Sequence, residues 1–278
     1  MAGGIEVKTP EQILVMRRAG LVVARTLAAL RDAARVGLTT GDLDQLARNL
    51  LAEQGATSSF LNYGAGWGIP AFPAVTCISV NDEIVHGIPG ERVLVDGDLV
   101  SVDFGAIVDG WHGDSALSFV VGEPRPEDVL LSEATRQSMW RGIAAARIGG
   151  RVGDISASIE GFIKSRQRRY GIVREFTGHG IGSAMHQAPD VPNHGRRGRG
   201  PLLVQGMCLA IEPMLTLGGE TTATLEDGWT VVTRDHSRAC HWEHTMTITK
   251  HGLWVLTAED GGEAELTALG ATFGPLAD

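Results

Sequence analysis

The chain has only three cysteines in 278 residues, Cys77, Cys208 and Cys240. An odd number at wide spacing excludes a disulfide framework and points to free thiols in a reducing compartment. No apolar run approaches the roughly 20 residues of a membrane span. The opening MAGGIEVKTP lacks the apolar core of a signal peptide, so the expected location is the cytoplasm. Positive charge is scarce too: 24 Lys and Arg stand against 33 Asp and Glu, a formal net charge of −9. That sign argues against a general binder of DNA or RNA. Acids gathered in a cleft would instead suit cations or an N-terminal amine.

What is present is a globular composition, 43% hydrophobic and 21% charged, in a chain long enough to bury a full core as one domain or two halves. Thr9-Pro10-Glu11-Gln12 is a helix start, with Thr as N-cap, Pro in the first turn and Gln to close a capping box. Ile13, Met16, Gly20, Val23, Leu27 and Leu30 continue a helical stripe to about Arg31. Thr40-Gly41-Asp42 opens a second helix, to about Gln54. Residues 60–68 are rich in glycine and aromatics and read as a loop or irregular strand. Residues 75–80 read as a strand, followed by a loop holding His86-Gly87-Ile88-Pro89. After a connector at 122–128, the pattern predicts helices over 127–147 and 154–169 and a strand near 172–176.

Residues 101–114, SVDFGAIVDGWHGD, alternate apolar and polar on both sides of Asp109-Gly110, the pattern of a strand, tight turn and returning strand. Asp103 and Asp114 then fall on one face, directly opposite if the turn is centred on Val108-Asp109 and diagonal if it is centred on Asp109-Gly110. Two carboxylates so close repel unless a cation or a shared proton lies between them. The alternative, from this stretch alone, is a pair of exposed acids flanking a turn.

An internal repeat changes that balance. RVGLTTGDL from Arg35 matches RIGGRVGDI from Arg147, with Arg, Gly, Gly and Asp recurring at Arg35/Arg147, Gly37/Gly149, Gly41/Gly153 and Asp42/Asp154. LVDGDLVSVD, ending at Asp103, matches LVQGMCLAIE, ending at Glu212, at nearly the same offset. Two related halves, about 10–121 and 127–256, follow from this, and residues 259–278 read as a weakly structured tail. Equivalent strands around a pseudo-two-fold axis would turn Asp103 and Glu212 toward one cleft.

The second half supplies further ligand types: His179 between glycines in TGHGIG, Glu212 at a strand end, and Glu243 on an alternating strand face with Thr245. Singly, each is an ordinary loop or surface residue. Together, one His and four carboxylates suit two divalent cations of the Mn, Fe, Co or Zn kind, bridged by carboxylates about 3.5–4 Å apart with a shared water.

NDEIVHGIP, VDFGAIVDGWHGD, TGHGIG, MHQAPDVPN, IEPM, EDGWTV and EHT, in this order, resemble the signature of the type I methionine aminopeptidases, with likeness running from Lys8 to about Leu256. The resemblance implies the pita-bread α/β (α+β) fold, a curved antiparallel sheet backed by helices in two pseudo-symmetric halves. It implies Asp103, Asp114, His179, Glu212 and Glu243 as metal ligands, with Asp114 and Glu243 bridging two ions. It gives Glu212 the proton transfers, His186 the substrate carbonyl oxygen and His86 the scissile nitrogen. The free α-amine would sit on the ion nearer Asp103. Phe72, Cys77, Met185 and Trp229 fall where the family lines its methionine pocket, and sulfur and aromatic faces suit a thioether. The chain departs from the family pattern at GIPAFP before and around Phe72 and at Met185, where an aromatic is common.

The activity so implied is removal of initiator methionine before a small second residue. The alternatives are a proline-directed aminopeptidase or prolidase, which shares the ligands but carries a large N-terminal domain, and a binding module that has lost its metals. The type II branch carries an inserted helical subdomain that no stretch supplies. The expected partners are nascent N-termini, with no membrane or specific DNA, and a monomer is expected. The run Arg196-Arg197-Gly198-Arg199 is either a contact with ribosomal RNA or a solvated loop.

Overall fold

The computed structural model describes residues 4–277; Met1–Gly3 and Asp278, at the ends of the expected domain, lie outside the described residues. The first half comprises α1 (Pro10–Ala33), α2 (Thr40–Glu53), β1 (Thr57–Ser58), β2 (Thr76–Val80), β3 (Glu83–Val85), β4 (Leu99–Val108) and β5 (Trp111–Val120). The second begins with α3 (Pro126–Ala145), α4 (Val152–Lys164), β6 (Gly171–Ile172), β7 (Gly178–Gly180), β8 (Gln187–Val191), β9 (Cys208–Ile211) and β10 (Met214–Thr216). It ends with β11 (Thr222–Thr224), β12 (Val231–Thr233), β13 (Ala239–His241), β14 (Glu243–Ile248), β15 (Leu253–Val255) and α5 (Glu263–Ala268).

The central sheet runs β1-β4-β5-β14-β9-β7-β8, with β2 beside β4 and β15 beside β14. Its strand pairs are all antiparallel. The halves join where β5 meets β14, with Ala116 opposite Glu243. Helices back each half with its own core. Val23, Leu27 and Leu30 of α1 and Leu43 and Ala47 of α2 pack on Val100, Val102 and Phe104 of β4. Leu131, Met139 and Ile143 of α3 and Ile155 and Ile159 of α4 pack on Leu209, Ile211, Met246 and Ile248. Each such buried Val, Leu, Ile, Phe or Met side chain contributes about 1.5–3 kcal/mol of hydrophobic stabilisation before entropy is counted.

Local chemistry explains the element ends. The Thr9 hydroxyl accepts from the amide of Gln12, and the Gln12 side chain accepts from the amide of Thr9, closing the capping box. Asp109 (φ 48°) and Gly110 (φ 81°) both take the left-handed conformation. This is the two-residue turn whose twist matches a hairpin. The resulting register sets Asp103 opposite Ala116 and Gly105 opposite Asp114, so the two acids are diagonal neighbours on one face.

The repeat seen in the sequence is a repeat of hydrogen bonds. Gly37 donates to the carbonyl of Leu94, and Gly149 donates to that of Leu203, the matched positions of the other half. Asp42 accepts from the amide of Thr39 at the start of α2, and Asp154 accepts from that of Arg151 at the start of α4.

Two expectations are corrected. The strand near 172–176 is only Gly171–Ile172, because the chain then bends to bring Glu175 and Phe176 to a central cavity. Residues 259–278, expected to be weakly structured, contain α5; Leu266 is fully buried in the second core, and Phe273 bridges to Leu253. An ion pair between Arg136 and Glu265 and a guanidinium bond from Arg17 to the carbonyl of Glu259 fasten the segment, and Arg17 also binds the carbonyls of 255, 256 and 258 just before it. Its few apolar side chains are diluted by Gly, Ala and acids, which hides the pattern from a sequence reading.

Candidate metal and active site

The cavity between the halves holds about 310 Å³. Asp103 enters it from β4, Asp114 from β5, His179 from β7, Glu212 from the residue after β9 and Glu243 from the start of β14, and all five line it. Donor atoms of Asp114, His179 and Glu243 lie within 4.8 Å of one another, and so do those of Glu212, His241 and Glu243. Glu243 is common to the two groups. Asp103 belongs to neither, but it lines the same cavity, and the charge of Asp114 adds to burial in raising its carboxyl.

Neighbouring side chains fix these groups. The Thr245 hydroxyl donates to the carbonyl of Asp114 at 2.7 Å and accepts from its amide at 3.2 Å, tying β5 to β14 beside the acids. Asn193 donates to the carbonyl of Glu212 at 3.0 Å. The Nδ1 of His179 donates to the carbonyl of Gly180 at 2.9 Å, which leaves Nε2 with its lone pair facing Glu212 Oε1 at 3.4 Å.

Burial pushes the carboxyls up, and mutual repulsion adds to it: Asp103, Glu212 and Glu243 are all raised, and burial lifts Asp114 to about 7. The same burial, with a neighbouring imidazole, lowers His179 and His241 to about 3, so both rings are neutral. Asp103 Oδ1, Asp114 Oδ1 and Glu243 Oε1 are buried without a hydrogen-bond partner among the described residues. Buried acceptors of this kind are costly unless something electropositive meets them. Four carboxyls, three of them with an orphaned oxygen, and a bare imidazole nitrogen fit divalent cations.

His86 and His186 line the same cavity. His86 sits at φ 61° with its ring edge-on to Phe176, centroids 5.4 Å apart. The Tyr63 hydroxyl meets Nδ1 of His186 at 2.5 Å, and the His186 ring stands 4.3 Å from that of His179. Phe72, Cys77, Met185 and Trp229, all buried, form one apolar cluster with Phe60 and Ala74. Phe72 meets Trp229 edge to face at 5.3 Å, and Trp229 Nε1 donates to the carbonyl of Pro70 at 2.7 Å. Arg196, Arg197 and Arg199 are exposed near the start of α4 and do not line the cavity.

Sequence reasoning missed Tyr63, Trp67, Phe176 and His241, which also line the cavity. The first two stand in an aperiodic loop with no signal to follow. His241 did carry one, since it lies two residues before Glu243.

Residues 15–250 match metallopeptidase family M24. The chain is 50% identical over 247 residues to methionine aminopeptidase 1 of Mycobacterium tuberculosis, covering 87% of this chain and 91% of that protein. It is 43% identical over 250 residues to methionine aminopeptidase 1 of Bacillus subtilis, covering 90% and 98%. The crystal structure of methionine aminopeptidase from Rickettsia prowazekii superposes with a TM-score of 0.87 at 36% identity, covering 92% of this chain and all of that one. The prolidase of Pyrococcus furiosus, at 20% identity and a TM-score of 0.71, shares the fold, and this chain covers 65% of it.

Proposed function

The chain belongs to metallopeptidase family M24, with the pita-bread fold, and from that premise we propose that it is a methionine aminopeptidase removing initiator methionine when the second residue is small. The observation that carries the reading is the conjunction, in one cavity, of orphaned buried carboxylate oxygens with a sulfur- and aromatic-lined recess.

Asp103, Asp114, His179, Glu212 and Glu243 would hold two divalent cations, Glu243 being the residue common to the two donor groups. When bound, such ions supply Lewis acidity and lower the pKa of a water nucleophile. Phe72, Cys77, Met185 and Trp229 receive the methionine side chain and exclude water from it. His186 donates from Nε2 to the carbonyl oxygen as it gains charge, its Nδ1 being engaged by Tyr63. Glu212 takes the proton of the attacking water and returns it to the leaving amine, and His86, which lines the same cavity, would contact that amine. The free α-amine would be met on the side of Asp103, which restricts cleavage to the first peptide bond.

Which of Mn, Fe, Co or Zn serves is set by supply and by the donor set together. Three buried free thiols agree with a cytoplasmic setting, where nascent chains emerge. Among the described residues no helix is long and apolar enough to cross a membrane. The exposed Arg196, Arg197 and Arg199 offer a ribosomal RNA surface, and since one chain supplies every proposed ligand, a monomer suffices.

Product analysis of Met-Ala-Ser, Met-Leu-Ser and Ala-Pro peptides, with each metal supplied to the apo protein, tests the reading. Free methionine from Met-Ala-Ser alone is expected. Cleavage confined to Ala-Pro would replace it with the proline-directed activity.

A further inference from the structure

We infer that His241 is a sixth side chain of the metal centre, a second imidazole donor set against the oxygen of Glu212 that His179 does not approach. This deepens the two-cation reading above and rests on it. His241 closes β13 and is 2% exposed, yet its Nε2 has no hydrogen-bond partner among the described residues. Its near neighbour is Glu212 Oε2 at 3.5 Å, longer than the roughly 2.7–3.2 Å of an N–H···O bond. His179 Nε2 approaches Oε1 of the same carboxylate at 3.4 Å. Two donors each about 2.0–2.2 Å from a common ion stand about 3–3.5 Å apart. Both contacts have the spacing of paired ligands rather than of hydrogen bonds. Donor atoms of His241, Glu212 and Glu243 also lie mutually within 4.8 Å.

The local fold aims the ring. His241 stands opposite Met214 on β10, two residues past Glu212. Trp242 turns the other way, its indole donating to Ser132 on α3 at 2.9 Å, so His241 and Glu243 share the cavity face. The amide of His241 donates to the hydroxyls of Ser101 and Ser118, and its carbonyl accepts from Ser118 at 2.7 Å. The ring is thus carried on pinned backbone rather than on a loop.

A second neutral imidazole changes the chemistry. Carboxylate-rich sites suit Mn, whereas added imidazole favours Co, Ni and Zn. The site is therefore tuned toward the nitrogen-preferring ions relative to one with a single His.

The variant His241→Gln keeps bulk and polarity and removes the imidazole. Apo wild type and H241Q are titrated with Co²⁺ and Mn²⁺ by calorimetry, and the Co²⁺-loaded proteins are examined by X-ray absorption for bound imidazole. Expected are two imidazoles in wild type and one in H241Q, with Co²⁺ affinity lowered about 10- to 100-fold and Mn²⁺ affinity lowered less. One imidazole in wild type, or unchanged Co²⁺ affinity in folded H241Q, overturns the inference and leaves the two-cation reading standing. Failure of wild type to bind either ion overturns both. Should H241Q not fold, the imidazole count in wild type decides alone.

Discussion

The phenol of Tyr63 meets Nδ1 of His186 at 2.5 Å, across 123 residues of chain. With the phenol as donor, the ring proton of a neutral His186 resides on Nε2, the nitrogen required to stabilise a developing oxyanion. Tyr63→Phe should therefore lower kcat about tenfold, roughly 1.4 kcal/mol of transition-state stabilisation, with little change in KM. His186→Ala should lower it further while leaving metal binding intact. Steady-state kinetics on Met-Ala-Ser checks both, and unchanged turnover in either would remove that residue from the oxyanion contact.

Asp114 and Glu243 are each 3% exposed or less, and each has an oxygen without a partner among the described residues. Supplying cations should relieve that cost. At 100 times the dissociation constant, binding adds about 2.7 kcal/mol of stability. For a chain of this size that corresponds to about 5–10 °C in Tm. Glu243→Gln should lose most of this shift because it weakens both donor groups at once. A Tm that does not respond to Mn²⁺ or Co²⁺ would contradict the metal reading.

Phe72 is buried against Trp229 in the recess beside the acids. Phe72→Ala should reduce kcat/KM for Met-Ala-Ser about 10- to 100-fold, roughly 1.4–2.8 kcal/mol. It should reduce the rate for a Leu-Ala-Ser peptide less, narrowing the preference for methionine. If Phe72 served only as core, the variant would lose stability while selectivity stayed constant.

Leu266 is fully buried, although it lies in a segment whose sequence reads as a weakly structured tail. Leu266→Ala should cost about 2–5 kcal/mol in urea unfolding, as core truncations do. A loss below about 0.5 kcal/mol, the range of surface substitutions, would show the segment to be dispensable.

Much of the architecture was legible in the residues. The capping box at Thr9, the turn at Asp109-Gly110 and the stripe of α1 are local signals, set by steric and hydrogen-bonding rules that act over a few residues. The repeat was legible because Gly37 and Gly149 meet the same structural demand in each half. The five proposed ligands lie on strands of the central sheet or directly after one, within ordered motifs that the residues displayed. What stayed hidden was non-local. His241 shares its face with Glu243, but the strand is broken at Trp242, and only tertiary packing shows which way each side chain turns. Tyr63 and Trp67 lie in a loop without period, and Leu266 stands alone among small and charged residues.

Anomalous diffraction from crystals soaked in Mn²⁺ tests the central claim most directly. Two peaks are expected between Asp103, Asp114, His179, Glu212 and Glu243, both lost in Glu243→Gln. No peak in that cavity at saturating Mn²⁺, or peaks bound only to surface acids, would contradict it.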